Sequence, residues 1–292
     1  MNDPSTVLPA WFDAQYDNRA RIPEHPAILE RWADASAKAY RRRGWALDPG
    51  AGAGERVDVL PAEGKDAPVL VYIHGGYWRA LDKRDQSFVA PPLADAGAMV
   101  VLANYGLCPA VTVEQIVLQL VKALAWVHRH AAEHGGDAER IVVAGHSAGG
   151  HLAAMLLACD WQAVSPTLPA DLVKSALSIS GLYELEPLRH ARFLAADLGL
   201  TEATALRLSP AAMPAPAQGS LATVVGGEES EEFLRQSDLI AERWGPQVVI
   251  ASERVPGRNH MSVLDELADR GSSTHRLCLQ LLGLQDTVAS EA

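Results

Sequence analysis

The chain has 292 residues, 48% hydrophobic and 21% charged, a balance that supports a large buried core and excludes disordered, collagen-like and membrane-embedded compositions. Its 36 acidic and 25 basic residues give a formal charge of −11, and the basic ones form no long stripe, which argues against a nucleic acid or an anionic membrane as partner. Cys108, Cys159 and Cys278 lie far apart without CxxC spacing, so neither a disulfide framework nor a zinc knuckle is suggested, and a reduced, cytoplasmic setting is expected.

The first residues hold Asp3, Pro4, Pro9, Asp13 and Asp17 where a secretory signal needs a basic start and an unbroken apolar run. Residues 1–50 then concentrate Trp11, Tyr16, Trp32, Tyr40 and Trp45, rings costly to leave in water, so this segment is expected to pack on or cap the main domain, 51–284. Arg41-Arg42-Arg43 reads as a solvated helix end. The run Gly50-Ala51-Gly52-Ala53-Gly54 precedes a strand instead of joining strand to helix, so it fails as a dinucleotide-binding turn.

Short apolar runs at Val57–Leu60, Val69–Ile73, Met99–Ala103, Ile141–Ala144, Ala176–Ile179, Ala222–Val225 and Val248–Ala251 read as buried strands. None approaches the roughly 18 residues of a membrane span. Helical patterns lie between several of them; the clearest starts at a capping box, Thr112 and Gln115, and continues through Ile116, Leu120, Leu124 and Val127. Alternation of strand and helix predicts a mostly parallel central sheet with helices on both faces. Residues 181–220 interrupt it with a helical stretch around Phe193 to Leu208 and the Pro-rich piece Met213–Ala217, an insertion expected to form a small cap over a pocket. The tail, 285–292, is small and polar and reads as frayed.

The strand Ile141–Ala144 runs into Gly145-His146-Ser147-Ala148-Gly149-Gly150 and then an apolar helical pattern. Strand, G-x-S-x-G turn and helix together are the context of a nucleophile elbow, which makes Ser147 the candidate nucleophile. Independently, Val69–Ile73 leads into His74-Gly75-Gly76-Tyr77-Trp78. Glycines after an early strand free backbone N–H groups for an oxyanion hole, so Gly75 and Gly76 are candidate donors together with Ala148, the residue after the nucleophile.

A serine nucleophile needs a base and an orienting acid. His260, after the turn Pro256-Gly257, is the histidine best placed for the base; His146 and His151 flank Ser147 too closely to reach it, and the others sit in polar or helical settings without partners. The acid is sought at the end of the strand Ala222–Val225, where four glutamates follow. Glu231 and Glu232 open a helix, where carboxylates are expected anyway, leaving Glu228 and Glu229.

These segments, with Glu229-Ser230-Glu231-Glu232-Phe233, Tyr16-Asp17-Asn18-Arg19 and Asn104-Tyr105-Gly106, resemble the kynurenine formamidase (arylformamidase) branch of the α/β-hydrolases, and the chain is also similar to hormone-sensitive-lipase-like esterases. The resemblance implies the α/β-hydrolase fold and puts Glu229 at the position where the family usually has Asp, with Glu228 a rival. It implies cleavage of a small aromatic amide through Ser147, Glu229 and His260, or of short acyl esters by the same groups. No cofactor and no metal is expected, and the expected partner is a small-molecule substrate; whether the chain forms a homodimer stays open. Tyr77, Trp78, Tyr105, Tyr183 and Met261 are candidates to line the substrate pocket, against ordinary core packing for each.

Overall fold

The computed structural model describes residues 9–42, 44–48 and 56–284; residues 1–8, Arg43, the Gly50–Gly54 run and the tail after Leu284 lie outside the described residues. Eight strands form one sheet in the order β1-β2-β4-β3-β5-β6-β7-β8, with β1 Ala46–Asp48, β2 Val57–Leu60, β3 Ala67–Ile73, β4 Met99–Ala103, β5 Gly136–His146, β6 Val173–Ile179, β7 Ser220–Gly226 and β8 Val249–Val255. The pairs β1/β2 and β2/β4 are antiparallel; β4, β3, β5, β6, β7 and β8 pair in parallel.

Alternation along the strands sorts the core into two layers. Val69, Val71, Ile73, Met99, Val101, Ile141 and Val143 face one side, where they meet Ile116, Leu120 and Leu124 of the Val113–His130 helix, Leu152 of the Ala148–Leu157 helix and Ile240 of the Glu231–Trp244 helix. Leu70, Tyr72, Val100, Leu102, Val142 and Ala144 face the other, against Ile28 and Trp32 of the His25–Tyr40 helix, Leu93, and Leu277 and Cys278 of the Ser273–Leu281 helix. The capping box forms: Thr112 Oγ1 accepts from Gln115 N at 3.2 Å and Gln115 Oε1 from Thr112 N at 2.8 Å.

Three elements differ from the sequence expectation. β1 is only three residues long, too short for an alternating or apolar pattern to mark it in the sequence. β8 is not a buried strand but the sheet's edge, with Ile250, Ser252 and Arg254 exposed in alternation. The helical stretch at Phe193–Leu208 is two helices, Arg192–Leu198 and Glu202–Arg207, because Gly199 ends the first in the left-handed region and Thr201 caps the second.

The His25–Tyr40 helix ends at Arg41, which is exposed, while Arg42 pairs with Asp95. Of the aromatic residues in 1–50, Phe12, Tyr16 and Trp32 are buried, whereas Trp11, Tyr40 and Trp45 are half-buried. Tyr16 is tied to the Glu231–Trp244 helix: its hydroxyl donates to Glu232 at 2.6 Å and accepts from Gln236 at 3.2 Å. Cys108 and Cys278 are buried and Cys159 half-buried, all as free thiols. Among the described residues, no helix is long and apolar enough to cross a membrane.

Candidate active site

The sharp turn between β5 and the Ala148–Leu157 helix holds Ser147 at φ +56°, a conformation that costs a non-glycine residue of order 1–3 kcal/mol and persists only where packing enforces it. The enforcement is visible at Gly149: a Cβ there would stand 2.0 Å from the carbonyl oxygen of Ile73, so helix and β3 close on each other through the absent side chain. Ser147 is thereby lifted onto the carboxyl end of the parallel strands, with its own N–H bonded to Ile179 O at 2.8 Å.

Two loops at the same sheet end complete a chain of hydrogen bonds. His260, from the loop after β8, stands with Nε2 3.0 Å from Ser147 Oγ and Nδ1 2.6 Å from Glu229 Oε2. Glu229, from the loop after β7, accepts at its other oxygen from Ser180 Oγ at 2.5 Å and from Gly226 N–H at 2.8 Å. An ionised carboxylate is acceptor only, so Nδ1 carries the imidazole proton and Nε2 is left to take one from Ser147. Glu228, the rival acid, is exposed and does not reach His260; its N–H bonds Arg258 O. Glu232, expected simply at a helix start, is buried between Tyr16 and Arg235.

His260 is held from behind by the Phe233 ring at 4.2 Å and by His146, whose Nε2 donates to the His260 carbonyl at 2.7 Å. Burial first, then the neighbouring His260, lowers the His146 pKa to about 3, so it stays neutral and anchors the base without competing for its proton.

The loop after β3 is wound through three left-handed residues, Gly76 at +105°, Tyr77 at +51° and Trp78 at +55°. A Cβ at Gly76 would lie 2.1 Å from Ala80 O, so only glycine fits. The loop is pinned by Tyr105, whose hydroxyl lies 3.0 Å from the carbonyls of both His74 and Gly75, and by His74, stacked on the Tyr105 ring at 4.2 Å. Gly75 corrects the sequence expectation: its N–H donates to Gln86 Oε1 at 3.2 Å, so it anchors the loop and is not free to meet an oxyanion. The N–H groups of Gly76, Tyr77 and Ala148 have no acceptor among the described residues.

Ser147 and His260 open into a cavity of about 760 Å³ whose wall includes Gly76, Tyr77 and Met261. The other three aromatic candidates are not in that wall. Trp78 is fully buried edge-on to His151, Tyr105 lies under His74, and the Tyr183 hydroxyl donates to Ser178 Oγ at 2.7 Å inside the core. The left-handed winding of the 76–78 loop sends Tyr77 and Trp78 to different sides, which no local sequence signal announces. The wall is completed by residues that were not among the pocket-lining candidates: Asp17, Arg19, Leu29 and Trp32 from the first forty residues, and Phe193 and Asp197 from the 181–220 insertion. Arg79 joins these parts, pairing with Asp197, donating to Phe193 O at 2.7 Å and lying 5.6 Å above the Phe193 ring.

Residues 58–164 match the model of the BD-FAE family. The kynurenine formamidase of Salmo salar is 31% identical over 245 residues, covering 80% of this chain and 80% of that one. The chain belongs to the kynurenine formamidase family. It is a hydrolase of the α/β-hydrolase fold, and a more local likeness, 34% over 134 residues, joins it to the esterase LipQ of Mycobacterium tuberculosis across 44% of this chain and 31% of that one. A solved structure titled as a putative thioesterase from Silicibacter sp. TM1040 superposes with a TM-score of 0.77 at 28% identity, covering 93% of this chain and 97% of that one.

Proposed function

We propose that the chain is a serine hydrolase that cleaves an N-formyl aryl amide of the N-formylkynurenine type through an acyl-enzyme. The single observation that carries the reading is the unbroken hydrogen-bond chain from Ser147 Oγ through His260 to Glu229 at the floor of the cavity.

In this mechanism His260 Nε2 takes the proton of Ser147 as Oγ attacks the formyl carbon. The oxyanion so formed is met by the N–H groups of Gly76, Tyr77 and Ala148, each donor of this kind being worth about 2.7–4 kcal/mol to the transition state. Imidazolium then protonates the arylamine nitrogen as the C–N bond breaks, while Glu229 stabilises the positive ring. Water, deprotonated by His260, attacks the formyl ester and releases formate, returning the proton and Ser147. Tyr77, Phe193, Trp32 and Met261 supply an apolar wall suited to an aromatic leaving group.

A second reading, a carboxylesterase on short acyl esters, is favoured by the local likeness to LipQ. The test is steady-state hydrolysis of N-formylkynurenine beside p-nitrophenyl acetate, with Ser147→Ala as control. Formamide turnover with kcat/KM of about 10⁴ M⁻¹s⁻¹ or more, abolished in the variant, supports the first reading; ester turnover without formamide turnover leaves the second. If a fluorophosphonate fails to label Ser147, both fall.

A further inference from the structure

His74, at the root of the oxyanion loop, is fully buried and has no part in the proton transfers of Ser147. Its Nδ1 stands 2.8 Å from the Gly75 carbonyl oxygen and its Nε2 3.0 Å from Asn104 Oδ1. A carbonyl oxygen can only accept. Nor can the Asn104 amide turn to offer its NH2 to the ring, because Oδ1 accepts from the Lys83 N–H at 3.1 Å while Nδ2 donates to Asp82 Oδ2 at 2.7 Å. Burial pushes the Asp82 carboxyl up, but hydrogen bonds from the Arg84 N–H and Asn104 outweigh it and hold the group below the usual carboxylate range, so Asp82 is ionised. Both ring nitrogens of His74 therefore face acceptors, a demand that only the doubly protonated ring meets.

The surroundings suit a cation. The Tyr105 ring lies flat on the imidazole, centroids 4.2 Å apart and planes 9° from parallel, and burial raises the Tyr105 pKa so that it stays a neutral phenol. The charged groups of the neighbouring turn are Asp82, reached through Asn104; Asp85, which accepts from the Asp82 N–H at 2.9 Å; and Lys83, whose ammonium pairs with Asp58 at 3.5 Å. Burial lowers the His74 pKa and acts against a charge there, while the Gly75 carbonyl, Asn104, Asp82 and Asp85 act for it. Geometry decides between them: either neutral tautomer leaves a bare lone pair within 3.0 Å of an oxygen, at a residue that is shut off from water.

The Gly75 carbonyl that accepts from Nδ1 belongs to the same peptide group as the Gly76 N–H, and the Tyr105 hydroxyl stands 3.0 Å from that carbonyl oxygen as well. Hydrogen bonds to a peptide oxygen draw electrons from the peptide nitrogen and make its N–H a stronger donor, more so when the bond comes from a charged group. We propose that His74 is a buried imidazolium that, through the Gly75 carbonyl, polarises the Gly75–Gly76 peptide and strengthens the Gly76 N–H as an oxyanion donor. His74 touches no reacting atom, so it is a positioning residue that acts through a peptide. The inference rests on the serine-hydrolase reading and deepens its oxyanion step.

The test begins with nitrogen-15 NMR of the full chain labelled at histidine, at pH 7, the His74 signals being assigned by their loss in His74→Gln. Both ring nitrogens of His74 are expected to carry protons; a neutral ring overturns the proposal. Glutamine keeps a donor but no charge, so His74→Gln lowers kcat for p-nitrophenyl acetate about tenfold at unchanged KM, less than the loss from deleting an oxyanion donor outright. Full activity in a folded His74→Gln overturns the proposal. Asp82→Asn removes the balancing carboxylate without touching the peptide, so the second ring proton is lost and kcat falls by a similar factor. A ring that stays charged there, or a kcat that does not fall with it, counts against the proposal in the same way. In the wild type kcat declines at high pH as His74 gives up its proton, a limb absent from His74→Gln; identical pH profiles leave His74 a purely structural part of the loop. If a fluorophosphonate fails to label Ser147 and neither ester nor formamide is cleaved, the hydrolase reading falls and the donor role with it, while the NMR still reads the charge on His74.

Discussion

Glu229→Gln isolates the orienting role of the carboxylate, because the structure dictates which way the new amide must face. The side chain is fully shielded from water and is contacted by three donors: His260 Nδ1, Ser180 Oγ and the backbone N–H of Gly226. Of these only the Gly226 N–H cannot rotate or change its proton, so the amide oxygen must turn to it and the NH2 must turn to His260. Nδ1 then has to accept, the proton moves to Nε2, and the nitrogen 3.0 Å from Ser147 Oγ can no longer take the serine proton. A wrong tautomer of this kind in a Ser-His-acid triad lowers kcat by about 10⁴, or roughly 5.5 kcal/mol. Stability changes little, since the volume is kept and all three neighbours stay paired. The assay is steady-state turnover of p-nitrophenyl acetate and N-formylkynurenine with a thermal melt of the same preparation, and Glu228→Gln as the neighbouring comparison. A folded Glu229→Gln that keeps a tenth or more of wild-type kcat refutes the orienting role; a loss in Glu228→Gln instead returns the acid to its rival.

The remaining expectations concern the frame around that chain. Gln86→Leu strips the acceptor shared by the Gly75 N–H and the Tyr72 hydroxyl, both buried; unfolding in urea should lose about 1–3 kcal/mol, and kcat should fall on amide and ester alike as the oxyanion loop loosens. Unchanged stability would mean the pair finds water instead. Gly149→Ala drives a methyl to 2.0 Å from Ile73 O, so loss of soluble protein or a large drop in Tm is expected, and a well-folded, active variant would show that the elbow is not held by that contact. Burial lowers His146 to about 3 and His151 to about 4, both below the ordinary 6.5. Below pH 6.5 the unfolded chain binds protons that the folded chain refuses, so the stability is complete above about 6.5 and is lost as pH falls toward 4. The slope reaches about 1.4 kcal/mol per pH unit for each histidine. Urea midpoints from pH 7 to 4.5 should show it, with a shallower fall in His151→Gln.

What the sequence revealed about the site follows from how locally each part is encoded. The elbow is one strand, one turn and one helix within about twenty residues, and its glycines, its serine and the apolar helix behind it are adjacent in the chain. The choice of Glu229 over Glu228 is a different matter: neighbouring glutamates share composition and context, and what separates them is that β7 ends so that one side chain turns under Ser180 and Gly226 while the other faces water. Family resemblance pointed to Glu229; a single sequence, read without it, kept both. The pocket wall was the least legible part, because its members come from segments far apart in the chain, joined by contacts such as Tyr77 to Asn18, 59 residues apart, and Arg79 to Phe193, 114 apart. Aromatic character drew attention to Trp78, Tyr105 and Tyr183, yet a ring in this fold is more useful as a support beneath the oxyanion loop or the sheet than as a lining. Burying those rings is what lets Tyr77, Gly76 and the strained Ser147 hold their geometry, so the residues mistaken for substrate contacts do serve the site, one layer behind it.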